Sequence, residues 1–183
     1  MSDITEKEIN DAQATWCRRL VEISRAYMER ERRGDEYKTL ARKFVDELYD
    51  NWEERKVFFR PTLALAPRNF RTTRAGALAY FIGGDPNFPD DKGFIKLNWI
   101  DARYDNVIEG KEAIQRHGNI GIAMGNVYLT PEVSTDGKDT VVDKVFVYRK
   151  YGEGDVRLIV HNSAATNLPS IEVPEDYPHI SFH

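Results

Sequence analysis

A histidine and a serine stand two positions apart near the end of the chain, at His161 and Ser163. The segment around them, 156–164, is rich in β-branched residues and predicts a strand. Because side chains alternate along a strand, His161 and Ser163 share one face and Asn162 lies on the other. An imidazole with an unperturbed pKa of about 6.5 can take up and return a proton near neutral pH. The two side chains are therefore able to point together into one pocket.

Metal-binding patterns are missing from the sequence. The single cysteine, Cys17, excludes an internal disulfide framework and a cysteine-based zinc cluster. The four histidines form neither a His-x-His pair nor a His-Glu-x-x-His motif. His179 and His183 are four residues apart, but Pro178 argues against the helix that would bring them together. No metal and no cofactor are expected.

The elements that must position the candidate residues begin with two predicted helices in the segment 5–50. Thr5 and Glu8 match a capping box at the start of the first helix. An apolar stripe follows at steps of three or four, at Ile9, Ala12, Trp16, Leu20, Ile23 and Tyr27. Gly34 predicts the end of this helix. The stripe of the second helix is Tyr37, Leu40, Ala41, Phe44, Val45 and Leu48.

The rest of the chain predicts short elements and then a sheet. An extended segment is expected at 57–62, and a helix at 74–82 that Thr72 or Thr73 caps. From Gly93 onward, β-branched and aromatic residues predict strands at 94–99, 100–108, 120–130, 140–150 and 156–164. Short connections between them predict an antiparallel sheet. Helices followed by a curved antiparallel sheet form an α+β order, which resembles the cone-shaped nuclear-transport-factor-2-like architecture.

Composition limits the possible functions. The chain has 183 residues, with 26 basic and 30 acidic side chains and a net charge of −4, so a basic nucleic-acid-binding surface is not expected. No apolar run reaches the roughly 18 residues of a membrane span. The polar, acidic N-terminus is unlike a secretory or transit peptide, so a cytoplasmic location is expected. Length predicts one domain, 1–167, with pocket segments at 57–84, the sheet at 93–165 and a C-terminal tail at 168–183.

Four segments, in this order, resemble the iota-class carbonic anhydrases, which are related to the association domain of calcium/calmodulin-dependent kinase II. They are Val57-Phe58-Phe59-Arg60-Pro61-Thr62; Gly76-Ala77-Leu78-Ala79-Tyr80-Phe81-Ile82-Gly83-Gly84 with Asp91-Lys92-Gly93-Phe94; Ala123-Met124-Gly125-Asn126-Val127-Tyr128-Leu129-Thr130; and Asp155-Val156-Arg157-Leu158-Ile159-Val160-His161-Asn162-Ser163. The region from Gly34 to Tyr49 is also similar. The resemblance covers roughly residues 5 to 167.

This resemblance implies a lyase that reversibly hydrates carbon dioxide to bicarbonate without a metal. In that family a threonine, a tyrosine, a histidine and a serine hold bicarbonate, and the matching positions are Thr62, Tyr80, His161 and Ser163. The resemblance thus makes these four residues catalytic and substrate-binding. His161 is expected to pass the proton. Tyr80 is the alternative base, although its reference pKa of about 10 would have to fall strongly.

Two further features concern the surroundings of the site. Asn126 and Tyr128 share a face of their predicted strand and are expected to line the pocket as additional substrate-binding residues. The family's last motif usually reads His-His-Ser-Ser, whereas this chain has Asn162 and Ala164 at the second histidine and second serine. The loss of these two side chains puts full activity in question.

Alternative interpretations stay open at this stage. His161 could be a hydrogen-bonded sheet residue, Tyr80 a core residue, and Thr62 the end of a strand. The same fold also supports non-catalytic oligomeric assembly modules and isomerases or dehydratases with an apolar pocket. On family grounds the chain is expected to form a homodimer or a higher homo-oligomer, with carbon dioxide and bicarbonate as its small-molecule partners.

Overall fold

The N-terminal part of the chain is helical, as predicted. The structure is a computed structural model that describes residues 2–54, 56–64, 66–134 and 137–166. Helix α1 spans Glu6–Met28, helix α2 spans Arg30–Arg33 and helix α3 spans Glu36–Leu48. The Thr5 hydroxyl accepts a hydrogen bond from the Glu8 amide, and the Glu8 carboxylate accepts one from the Thr5 amide. The predicted capping box therefore starts α1.

The stripe predicted for the first helix forms one side of the core. Ile9, Trp16, Leu20 and Ile23 are buried along α1. Gly34 has a φ of 60°, a conformation open to glycine, and it ends the short helix α2. The segment 5–50 thus holds an additional single-turn helix between the two long ones.

Two short elements lead towards the sheet. Strand β1 spans Phe58–Arg60, and helix α4 spans Arg74–Ile82. Of the two threonines that could cap α4, Thr73 does so, since its hydroxyl accepts a hydrogen bond from the Gly76 amide at 3.1 Å.

The strand predicted at 94–99 is wrong for its first five residues. Phe94–Leu97 form a 3₁₀ helix, and strand β2 begins only at Trp99. The helix is preceded by Gly93, where a Cβ would sit 2.4 Å from the Ile82 carbonyl oxygen. Tertiary packing decides the outcome, because Phe94 is buried against Tyr80 with ring centroids 5.4 Å apart.

Seven further strands lie within the described residues. They are β2 at Trp99–Asp105, β3 at Val107–Ile108, β4 at Lys111–Glu112, β5 at Ile114–His117, β6 at Ile120–Pro131, β7 at Thr140–Gly152 and β8 at Asp155–Ala165. The main sheet has the order β1-β8-β7-β6-β2, with β5 also paired to β6, while β3 and β4 form a small hairpin. The antiparallel pairing predicted for the strands from Gly93 onward holds, and β1 adds a parallel pair with β8. Register shifts in β2, β7 and β8 mark the irregularities that bend a sheet.

The sheet has two different faces. The inner face packs against α1 and carries Ala123, Val127, Val142, Lys144, Phe146, Tyr148, His161 and Ser163, all of them buried. Gly125 lies on this face opposite Lys144, and a Cβ there would sit 2.0 Å from the Asp105 carbonyl oxygen. The outer face carries Ile122, Met124, Val145, Val147 and Val160, which are cross-strand neighbours or near neighbours. Helices on one side of a curved sheet are the α+β arrangement predicted from the sequence.

No helix among the described residues is long and apolar enough to cross a membrane. The predicted tail at 168–183, which includes His179 and His183, lies outside the described residues. We propose that 1–167 form a single domain, because α1, α3, α4 and the main sheet contribute to one buried cluster.

Candidate active site

Parallel pairing of β1 with β8 brings distant parts of the sequence together. Phe59 pairs with His161, so the chain that leaves β1 passes beside the next inward residue of β8, Ser163. The Thr62 hydroxyl is hydrogen-bonded to the Ser163 hydroxyl, although the two residues are separated by 101 positions in sequence. Two of the four predicted site residues are thereby in direct contact.

Tyr80 reaches the same region from α4. Its ring packs edge-on against Phe59, with centroids 5.5 Å apart. Tyr80 is 5% exposed, and its hydroxyl has no hydrogen-bond partner among the described residues. Burial raises the pKa of Tyr80, and the neighbouring Leu63 and Thr62 offset this only in part. The phenol therefore keeps its proton and is free to donate it in a hydrogen bond.

His161 lies on the inner face within an aromatic enclosure. It is 1% exposed. Its ring stacks on Phe59 at 4.4 Å, and the edges of Phe146 and Trp16 meet it at 4.6 Å and 5.6 Å between centroids. Burial, together with the nearby Lys144, holds the pKa of His161 well below its ordinary value. His161 is therefore neutral at physiological pH.

Both ring nitrogens of His161 are engaged. The Nδ1 atom lies 2.9 Å from the Tyr49 hydroxyl, which accepts a hydrogen bond from the Trp16 indole at 3.1 Å. The Nε2 atom lies 3.0 Å from the Nζ atom of Lys144. In this arrangement neither nitrogen is free to receive a further ligand.

Lys144 joins His161 to the hydroxyl pair. Its Nζ atom donates a hydrogen bond to the Ser163 hydroxyl at 3.1 Å, besides its contact with His161. The result is one continuous chain of hydrogen-bonded side chains, called here the polar chain. Its members, in order, are Trp16, Tyr49, His161, Lys144, Ser163 and Thr62.

The charge of Lys144 is unusual for its position. The residue is 2% exposed, and its Nζ atom lies 4.8 Å from the centre of the Trp16 ring. No carboxylate of the described residues forms an ion pair with it. Burial lowers the pKa of Lys144 to about 7, because the interior disfavours an uncompensated ammonium. Lys144 is thus a base that changes its charge near neutral pH.

A cavity of about 630 Å³ opens beside Thr62. Leu63, Phe94, Trp99 and Val142 form an apolar part of its wall, and Asp139, Thr140 and Thr166 lie in a polar part. Among the members of the polar chain, Thr62 lines this cavity, whose mixed wall suits a small molecule with both apolar and polar atoms.

Asn126 and Tyr128 are not brought to this cavity. On β6 the inward positions are Ala123, Gly125 and Val127, so Asn126 and Tyr128 lie on the outer face. There the Tyr128 ring stacks with the Arg103 guanidinium at 3.7 Å. The substrate-binding role expected for the two residues stays a prediction, and their position does not favour it.

Sequence reasoning missed Lys144 and Tyr49. The sequence does contain a signal for Lys144. It stands at every second position with Val142, Phe146 and Tyr148, so it shares their face of the strand and is a cation in an otherwise apolar series. Tyr49 has no comparable local signal, because its contact with His161 joins residues 112 positions apart.

The donor types present do not form a metal centre. Within the described ranges no group of three or more histidine, cysteine, aspartate or glutamate side chains is placed to hold a metal ion. The polar chain instead offers hydroxyls, one imidazole and one amine in a buried site. That set can donate hydrogen bonds to an anion and exchange a proton.

Comparison with solved structures first defines the class of fold. An NTF2-like protein with a cystatin-like fold from Novosphingobium aromaticivorans matches with a TM-score of 0.55 at 11% identity, over 90% of this chain and 83% of that one. At this identity the likeness concerns the fold alone. The chain has the nuclear-transport-factor-2-like fold that its element order predicts.

Closer relatives define the family. The model of the metal-independent carbonic anhydrases matches residues 7–165. A metal-independent carbonic anhydrase from Nostoc sp. (strain PCC 7120) is 43% identical over 161 residues, which is 88% of this chain and 73% of the relative. The crystal structure of a cyanobacterial iota-carbonic anhydrase complexed with bicarbonate matches with a TM-score of 0.79 at 41% identity, covering 91% of this chain and 95% of that one. The chain belongs to the metal-independent carbonic anhydrase family.

Family membership confirms the resemblance seen in the sequence. It also decides among the functions left open, since hydration of carbon dioxide is the activity of the family to which the chain belongs. Family membership does not assign roles to individual residues, which follow from the geometry of the polar chain.

Proposed function

We propose that this chain reversibly hydrates carbon dioxide to bicarbonate in the pocket formed by Thr62, Tyr80, His161 and Ser163, without a metal. The observation that carries the proposal is the cluster of hydroxyls next to Thr62, the member of the cluster that lines the cavity. There, Thr62 and Ser163 are hydrogen-bonded to each other, and the buried Tyr80 hydroxyl lacks a partner among the residues described. A small oxyanion would give that hydroxyl an acceptor. The cyanobacterial relative is complexed with bicarbonate, an ion of this kind.

The pocket suits both the substrate and the charge that forms on it. Carbon dioxide is linear and nearly apolar, and Leu63, Phe94 and Trp99 offer it an apolar wall. When water attacks the carbon, negative charge develops on the oxygens, and hydroxyl donors stabilise that charge. A well-placed donor of this type contributes about 3 kcal/mol to the transition state.

The residues of the pocket divide the work. Tyr80 acts as a donor rather than as a base, because burial raises its pKa. Thr62 and Ser163 donate to the anion and orient the attacking water. His161 closes the deep side of the pocket and holds Lys144 in place through its Nε2 atom.

Stopped-flow measurement of carbon dioxide hydration tests this proposal. We expect turnover by chelator-treated protein of verified low metal content. The variants Thr62→Val, Tyr80→Phe and Ser163→Ala are each expected to lower kcat/KM at least about 10-fold, because each one removes a hydroxyl that donates a hydrogen bond to the transition state. Background rates in the folded wild-type protein would disprove the function.

Tyr148→Phe is the matched control for Tyr80→Phe. The Tyr148 hydroxyl is also buried and without a partner among the described residues, but its titratable neighbours are Tyr104, Cys17 and Tyr49, whereas Tyr80 lies beside Thr62 and Leu63. Its removal is expected to leave kcat/KM unchanged. Full activity in all three pocket variants would reject the assignment of the site.

We further propose that two copies form a homodimer through the outer face of the sheet. Ile122, Met124, Val145 and Val147 form an apolar patch there, and Met124 is 50% exposed. A contiguous apolar patch of this kind on a sheet is a common interface between identical subunits. The cytoplasmic location expected from the sequence stays a prediction.

A further inference from the structure

Hydration of carbon dioxide by water releases a proton, and the pocket needs a group that receives it. Tyr80 cannot be that group near neutral pH, because burial raises its pKa. His161 is a poor candidate as well, because its pKa lies well below the ordinary value and both of its nitrogens are engaged. The base is therefore another residue of the inner face.

Lys144 has the right position. Its Nζ atom is in contact with both the Ser163 hydroxyl and the His161 imidazole, and it is the nitrogen base nearest to the hydroxyl end of the polar chain. The Ser163 hydroxyl in turn contacts Thr62 at the cavity. A proton can thus pass from the cavity to Lys144 across the hydroxyls of Thr62 and Ser163.

No carboxylate of the described residues forms an ion pair with Lys144. Cys17 of α1 and His161 of β8 lie beside its side chain, Tyr104 of β2 donates to its backbone carbonyl, and Arg60 at the end of β1 donates to the backbone carbonyl of Ser163. The carboxylate of Asp101 on β2 acts on Cys17 rather than pairing with the amine. Burial raises the pKa of Cys17 to about 12 and also raises the pKa of Tyr104, so both stay protonated. An anion in the pocket would therefore give the ammonium form of Lys144 a direct counter-ion.

We propose that Lys144 accepts, through the hydroxyl of Ser163, the proton released when carbon dioxide is hydrated, and that its ammonium form then balances the charge of bicarbonate. This inference rests on the proposed function. Burial, which lowers the pKa of Lys144 to about 7, keeps both forms within reach of neutral pH.

The step balances without a further reactant. The water oxygen forms a bond to the carbon of carbon dioxide, and one C=O π pair moves onto oxygen. A water proton passes to Thr62 Oγ1, the Thr62 proton passes to Ser163 Oγ, and the Ser163 proton passes to Lys144 Nζ. The products are bicarbonate and the Lys144 ammonium, which returns its proton to solvent through the same hydroxyls after bicarbonate leaves.

Two variants of Lys144 separate its charge from its basicity. In Lys144→Met neither is present, and hydration kcat/KM is expected to fall at least about 100-fold and to lose its rise between about pH 6 and pH 8. In Lys144→Arg a permanent cation is present. This variant is therefore expected to bind bicarbonate while losing kcat to the same extent.

Calorimetric titration with bicarbonate gives a readout that is independent of turnover. Measured at about pH 8 in buffers of different ionisation enthalpy, binding to the wild-type protein is expected to take up a net amount approaching one proton per bicarbonate. Lys144→Met is expected to take up none. The matched control is Lys150→Met, because Lys150 lies on the same strand and face but pairs with Glu8 at 2.8 Å; it should behave as the wild-type protein does.

The outcomes distinguish this inference from the proposed function. Wild-type protein that hydrates carbon dioxide and binds bicarbonate without proton uptake would overturn the role of Lys144 and leave the function standing. Unchanged kcat in folded Lys144→Met would do the same. Wild-type protein that neither binds bicarbonate nor hydrates carbon dioxide would overturn both.

Discussion

The Nζ atom of Lys144 lies 3.0 Å from the Nε2 atom of His161, and both side chains are buried. Two basic nitrogens so close together cannot both carry a proton charge. When Lys144 is neutral, its lone pair accepts a hydrogen bond from the Ser163 hydroxyl and one of its N–H groups donates to Nε2. When Lys144 is protonated, it donates to both Nε2 and the Ser163 hydroxyl. Nε2 accepts in both states, so the Nδ1–H group donates to Tyr49 and His161 fixes the orientation of the amine.

This pairing predicts that Lys144→Met makes the folded protein more stable at neutral pH. The pKa of Lys144 is about 7 in the folded state and about 10.4 in an unfolded chain. Between these values the unfolded chain binds a proton that the folded protein lacks, so wild-type stability rises with pH across this window. Methionine removes the free-energy cost of burying the lysine amine. It also leaves His161 Nε2 without a partner, which costs about 1–3 kcal/mol.

We expect Lys144→Met to raise the free energy of unfolding at pH 7 by about 1–3 kcal/mol, which is the usual gain when an apolar side chain replaces a buried charge. Urea unfolding at about pH 7 and pH 9.5 measures it, and the gap to the wild-type protein should narrow at the higher pH. Lys150→Met should instead be destabilised, because it breaks the pair with Glu8. A gap that does not change with pH would contradict a lowered pKa for Lys144.

Tyr49→Phe is expected to lower both stability and turnover. The variant removes the partner of His161 Nδ1 and leaves the Trp16 indole N–H without an acceptor, which costs about 1–3 kcal/mol for a buried donor. Loss of this anchor should also misplace Lys144 and lower kcat about 10-fold or more, with little change in KM. Phe44→Leu, a change in the same aromatic cluster, is the control for packing alone, since Phe44 makes no polar contact. Equal kcat in Tyr49→Phe and wild type would show that the anchor is not needed.

Restoration of the family's last motif is expected to change turnover little. Asn162 and Ala164 pair with Val145 and Asp143 on the outer face, away from the cavity. The variant Asn162→His/Ala164→Ser should therefore keep kcat/KM within about 2-fold, since neither side chain lines the cavity or belongs to the polar chain, and substitutions away from such features change free energies by about 0.5 kcal/mol or less. Tyr128→Phe, on the same face, should behave likewise. A large gain in the double variant would mean that the outer face acts on catalysis.

Val147→Glu is expected to break the proposed homodimer. Val147 pairs with Ile122 and Val160 in the centre of the outer face, where an unpaired carboxylate would be buried between two subunits. Sedimentation velocity should show dimer for the wild-type protein and monomer for this variant. Val107→Glu is the control, because Val107 is exposed on the separate β3–β4 hairpin. Wild-type protein that is monomeric at micromolar concentration would reject this interface.

Local patterns account for much of the fold. The stripe of α1 and the capping box at Thr5 are visible in the sequence because they depend on neighbours three or four positions away. Phe94–Leu97 could not be predicted in the same way. Their aromatic and β-branched residues favour a strand, but the packing of Phe94 on Tyr80 and the close approach at Gly93 select a 3₁₀ turn.

The candidate site likewise has some features that the sequence reveals and others that depend on tertiary structure. The contact of Thr62 with Ser163 agrees with the motifs that placed both residues in one pocket. For Asn126 and Tyr128, alternation shows that they share a face but not which one. That choice depends on the register of β6 with β7, in which Gly125 is opposite Lys144. No pattern within a single strand contains this information.

The indole of Trp16 at the inner end of the polar chain determines the order of events in a catalytic cycle. An indole N–H only donates, so a proton that reaches Tyr49 or His161 has no onward path into solvent. Substrate, product and proton must all use the opening beside Thr62. Bicarbonate therefore has to depart before the site can be reset, and small buffers that fit through this opening are expected to speed turnover, whereas bulky buffers are not.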